Sequence, residues 1–104
     1  MTAPTVLELS GRLDSKTSDA IDAQIHAALA AAPAGLVLDF SQVTFVSSIG
    51  LRILLMAAKQ ATKQATKLVL HSAAPPIVEL FNVSGLQTFL PIYPTREAAI
   101  AALG

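Results

Sequence analysis

The stretch Leu36-Val37-Leu38-Asp39-Phe40-Ser41-Gln42-Val43-Thr44-Phe45-Val46-Ser47-Ser48-Ile49-Gly50-Leu51-Arg52 decides how the rest of the chain is read. Its first part, Leu36 to Phe40, shows almost no alternation of apolar and polar residues, which suits a strand covered on both faces of a sheet. A second apolar run, Val43 to Val46, leads straight into the serine pair. From Ile49 the period becomes helical: Leu51, Leu54, Leu55 and Ala58 form a stripe predicted to face the core, and Ala61, Thr62 and Ala65 continue it roughly. The change from strand to helix falls on Ser47 and Ser48.

Toward the N-terminus, Thr5 to Leu9 is rich in strand formers and stops at Ser10-Gly11, a turn signal. Ser15 or Thr17 can then cap a helix carrying Ile21, Ile25, Ala28 and Leu29, which ends before Pro33. Toward the C-terminus, Lys67 to His71 reads as a strand. Pro75-Pro76 opens a helix, where the missing N–H of proline would be unpaired in any case; it carries Ile77, Val78, Leu80 and Phe81 and stops near Ser84-Gly85. Phe89 to Ile92 is expected to form the last strand, and Thr95 to cap a helix from Arg96 to Leu103. Strands and helices alternate, so residues 1–104 are expected to form one α/β domain, a mixed sheet of four or five strands with about four helices.

Composition narrows the function classes. Of the 104 residues, 53% are hydrophobic and 13% charged, ample for a core and too uncharged for disorder. Seven Lys and Arg balance seven Asp and Glu, so the basic footprint of a direct nucleic-acid binder is absent. Lys59, Lys63 and Lys67, four apart, read as a solvated helix face. Without cysteine there is neither a disulfide framework nor a thiolate metal site. Met1 to Ser10 lacks the pattern of a secretory signal, and the apolar stretch Ala27 to Leu38, broken by Pro33 and Gly35, is too short to insert in a membrane. A soluble, cytoplasmic protein is expected.

Enzyme chemistry finds little support. Val46-Ser47-Ser48-Ile49-Gly50 lacks the first glycine of a nucleophile elbow. The two histidines, His26 and His71, fall in a helix and at a strand end, where they form neither a triad nor a metal site. The five glycines are scattered, with no phosphate-binding loop. What remains is the serine pair at a helix start. One hydroxyl can cap the helix, a role worth about 1 kcal/mol; the other can carry a phosphate, which the free N–H groups and the helix dipole would favour there.

The segment Leu38 to Arg52 resembles the signature of STAS domains in anti-sigma-factor antagonists. Leu9-Ser10-Gly11-Arg12-Leu13-Asp14 resembles the family's first strand and its Gly-x-Leu-Asp turn, and Pro76 to Leu86 resembles its late helix. Two positions depart from the pattern: Ser47 stands where relatives often have Asp, and Lys67 follows an Ala-Thr run where they commonly have glycine. The resemblance implies that Ser48, two positions before Gly50, is a phosphorylation site, and that Asp14, Ser47, Ser48, Ile49 and Gly50 belong to the partner-binding surface. It further implies a partner switch. The unphosphorylated domain would bind an anti-sigma factor that is also a serine kinase, freeing the sigma factor; phosphorylation would release that partner, and a phosphatase would restore binding. The kinase would hold the ATP, so no cofactor, metal or catalytic residue is expected in this chain. The alternative is a non-switching STAS accessory subunit of a lipid-transport ABC system.

Overall fold

The computed structural model describes residues 5–31 and 34–103. They form strands β1 (Thr5–Leu13), β2 (Gly35–Val46), β3 (Lys67–His71) and β4 (Ile92–Tyr93) with helices α1 (Ser18–Ala30), α2 (Ser48–Lys63), α3 (Pro75–Ser84) and α4 (Arg96–Leu103). A single 3₁₀ turn, Leu86–Thr88, follows α3. The helix break expected at Pro33 lies outside the described residues.

Four strands and four helices meet the expected count, but the expected mixed sheet is corrected: the described strands pair in the order β1-β2-β3-β4, every pair parallel. The cause is the connections. Each strand is followed by a helix long enough to carry the chain back to the same end of the sheet, and such a crossover can only join parallel neighbours. Three crossovers stepping in one direction with one hand place their helices on one face. Accordingly Ile21, Ile25 and Leu29 of α1, Leu54, Ala57, Ala58 and Ala61 of α2, and Ile77 and Phe81 of α3 share a core with Leu9, Leu13, Leu36, Leu38, Phe40 and Leu70. Phe40 and Phe81 meet edge to face there, ring centres 6.4 Å apart. Because α4 follows the last strand, it is free to cover the opposite face, where Ala99 packs on Val37 and Val69.

The two apolar runs expected around Ser41-Gln42 are one 12-residue strand. Its register against β1 slips between Glu8 and Ser10 and again between Gly11 and Arg12, so β2 spends extra residues in two bulges. Asp39 supports the first bulge, where its carboxylate accepts the Ser41 N–H at 2.9 Å. The expected strand Phe89 to Ile92 shrinks to Ile92–Tyr93, because the 3₁₀ turn continues in Leu90 N–H to Leu86 C=O. Thr95 caps α4 as expected, its hydroxyl accepting the Ala98 N–H at 3.1 Å. The glycine missing near Lys67 is replaced in function by Ala65, whose left-handed φ of 60° closes α2 with Thr66 N–H to Ala61 C=O and Ala65 N–H to Thr62 C=O.

Helix α4 is tied to the sheet by charge. Arg96 donates to the buried Asp39 carboxylate at 3.1 Å, and His71 stands behind it. Burial works against ionising Asp39, but the Ser41 hydrogen bonds, Arg96 and the charge His71 can carry outweigh it and hold its pKa below the ordinary value of 3.8. A lowered folded pKa means stability that is present above the unfolded pKa and lost as pH falls through the folded one. Arg96→Met is therefore expected to cost about 1 kcal/mol near neutrality, as a half-exposed charged hydrogen bond, and to make stability less sensitive to acidification below about pH 4. Urea midpoints measured at pH 7 and pH 3 check this; an unchanged pH dependence would contradict it.

Candidate functional site at the start of helix α2

The end of β1 and the start of α2 are built against each other. Leu13 pairs with Val46, the Ser47 N–H donates to the Leu13 carbonyl at 2.8 Å, and Gly50 is buried beneath the same carbonyl. A Cβ at Gly50 would lie 2.6 Å from the Leu13 oxygen and 3.0 Å from side-chain atoms of Leu13 and Val46. The glycine that costs helix propensity in this first turn is thus required by the close approach. Gly50→Ala should destabilise by up to about 2 kcal/mol, an overpacking cost of about 1–3 kcal/mol less about 1 kcal/mol of regained propensity. Thermal denaturation measures it; a melting temperature above the parent's would show that the contact yields freely.

Of the roles that the sequence left open between the two serines, the cap falls to Ser47. Ser47, in extended conformation, is the N-cap, and its hydroxyl accepts the Gly50 N–H at 3.2 Å. Ser48 is the first helical residue and is exposed. Its hydroxyl has no protein partner among the described residues, and the N–H groups of Ser48 and Ile49 have no carbonyl within the helix to bond. Ile49, 44% exposed, follows it.

Asp14 is brought to the same place through Leu13. Its carboxylate accepts from Arg12 Nε at 3.1 Å and from the Lys16 N–H at 3.0 Å, so the side chain organises the turn. The Arg12 hydrogen bond is the main reason its pKa lies below the ordinary value, against a smaller opposing effect of burial. Thr17 stands at the head of α1 but does not cap it by side chain; its hydroxyl donates to the Arg12 carbonyl at 2.6 Å and accepts the Asp14 N–H at 3.1 Å. Arg12 also lies over the Phe45 ring, 4.3 Å from its centre.

The expected stripe of α2 divides. Leu54 and Ala58 are buried, whereas Leu51 and Leu55 are only half-buried. They line an open groove of about 260 Å³ with Ser48 and Arg52 on the α2 side and Ser84, Gly85, Leu86 and Phe89 opposite. This groove is not evident from the sequence, because it depends on where the 3₁₀ turn leaves Phe89, 57% exposed. The signal that was available is Arg52, a cation four residues after Ser48. Of the histidines, His26 lies on the surface of α1 beside Asp22, and His71 is buried with Nδ1 2.7 Å from the Ser72 hydroxyl; neither is hydrogen-bonded to Ser48. No helix among the described residues is long and apolar enough to cross a membrane.

Residues 2–92 match the sequence profile of the family described as "Mlab, STAS domain". A protein of Bordetella bronchiseptica named as an anti-sigma factor antagonist, BtrV, is 34% identical over 90% of this chain and 81% of its own length. The crystal structure of an anti-sigma factor antagonist from Mycobacterium paratuberculosis superposes with a TM-score of 0.89 at 30% identity, covering 99% of this chain and 87% of that one. The anti-sigma factor antagonist SpoIIAA in its unphosphorylated form is 27% identical with a TM-score of 0.78, over 98% of this chain and 90% of its own. In the phosphorylated form, from Bacillus, the values are 25% and 0.71 over 98% and 92%. The β1–α2 junction thus sits in a fold shared from end to end with these proteins, and the chain belongs to the STAS domain family of anti-sigma factor antagonists.

Proposed function

We propose that this chain is a phosphorylation-switched anti-sigma factor antagonist whose contact surface centres on the start of α2. The observation that carries the reading is the division of labour in the serine pair: Ser47 holds the cap, which leaves the Ser48 hydroxyl exposed and free at a helix N-terminus. A phosphate there adds about −1.5 to −2 charge at pH 7 without entering the core. Exposed Ile49 and Phe89 flank it, so the same charge falls within an apolar surface and opposes association by desolvation. The existence of a relative, SpoIIAA, in both phosphorylated and unphosphorylated forms supports the same chemistry.

In this reading the unphosphorylated domain binds, in the cytoplasm, an anti-sigma factor that is also a serine kinase. Transfer of the γ-phosphoryl of ATP to Ser48 by that partner ends the complex, and a phosphatase hydrolyses the phosphoserine. The domain itself binds and is modified; it catalyses nothing and needs no cofactor. Asp14, Ser47, Ser48 and Ile49 present the surface, while the buried Gly50 supports it from beneath. A second reading, a non-switching accessory subunit of a lipid-transport system, is favoured only by the Mlab description of the matching profile. Incubation with an anti-sigma kinase and ATP separates them. The switch requires an intact mass increased by one phosphate, mapped by peptide fragmentation to Ser48 and abolished in Ser48→Ala; an unchanged mass would favour the accessory role.

A further inference from the structure

The groove beside Ser48 holds one cation. Arg52 follows Ser48 by four residues, so the two side chains are neighbours on one helix face, and both line the groove. Other arginines of the domain are engaged: Arg12 with Asp14, and Arg96 with Asp39. Arg52 has no ion pair or hydrogen bond among the described residues, and the first turn of α2 contains no acidic residue to claim it. The facing wall of the groove, Ser84 to Phe89, brings no charge. On its other side Arg52 borders a depression with Asp22 and His26 of α1, where Asp22 Oδ1 lies 3.0 Å from His26 Nδ1 and makes no ion pair with Arg52.

We propose that Arg52 is the internal counter-charge of a phosphate on Ser48, an inference that rests on Ser48 being the modified residue. The guanidinium fork matches two phosphate oxygens, and a pair four apart on a helix needs no backbone movement. Pairing draws the phosphate along α2 onto the rim of the groove, above Leu51 and Leu55. The modified state is then an ordered anion–cation cap across an apolar groove that stands open in the unmodified state. Arg52 acts as a positioning residue, since it fixes where the new charge stands.

The test uses the full chain with phosphoserine installed at position 48 during translation, and reads the second ionisation of the phosphate by 31P NMR titration. With Arg52 present the phosphate should ionise below its ordinary value of about 6. Arg52→Gln should raise that pKa by about half a unit and Arg52→Lys by less, and the difference should shrink in 1 M salt. Identical titrations of parent and Arg52→Gln would overturn the pairing. Because the phosphate is installed rather than transferred by a kinase, this outcome is independent of which serine a kinase selects: labelling at Ser47 refutes the acceptor, whereas an unmoved titration refutes only Arg52.

Discussion

Leu54→Ala should destabilise the domain by roughly 2–5 kcal/mol, the range for deleting a fully buried leucine whose surroundings close only partly over the cavity. Leu54 is 0% exposed at the centre of α2, within the core shared by α1, α2, α3 and the sheet. For a domain of about 100 residues each kcal/mol moves the melting temperature by about 4–8 °C, so a fall of roughly 10 °C or more is expected. Leu55→Ala, one residue on but half-buried at the groove, should cost clearly less in the same experiment. Equal losses at the two positions would mean that α2 is rotated from its described orientation.

That contrast marks how far the sequence could be read. Helical period separates a buried side from an exposed one, and it located α2 and its serine start. It cannot tell a leucine under a neighbouring helix from one beside a gap, because the gap at Leu51 and Leu55 is made by a 3₁₀ turn more than 30 residues away. The apolar runs of β2 were visible, but their union into one strand depends on Asp39 filling a bulge through Ser41, a contact that composition does not disclose. Parallel pairing was open to inference from the helix between each pair of strands, and the expectation of a mixed sheet gave that too little weight. The helix start at the serine pair was legible, but which serine caps it was not, since the strand-to-helix change leaves two places for a cap. Arg52 stood in plain view within the quoted segment, but that it lines the groove and has no ion pair among the described residues needed the structure.

Phosphorylation of Ser48 should weaken binding to the anti-sigma partner by about 100-fold or more, equivalent to about 2.8 kcal/mol. The magnitude follows from placing close to two negative charges in an interface where Ile49, Leu51 and Phe89 offer no solvation for them and the single cation Arg52 can balance only one. Ser48→Asp supplies one charge and should weaken binding by less. Ser48→Ala leaves the surface almost unchanged and should bind within about threefold of the parent, because the exposed hydroxyl makes no bond that the fold needs. Ser47→Ala, which loses a capping bond of about 1 kcal/mol, should keep Ser48 as the acceptor.

The central claim is tested most directly by titrating one anti-sigma kinase partner, in a calorimeter and without ATP, with unmodified protein and with protein carrying phosphoserine at position 48. The account predicts tight binding of the first and an affinity lower by about two orders of magnitude for the second, with the fold of both unchanged by circular dichroism. Equal affinities of the two forms would contradict it.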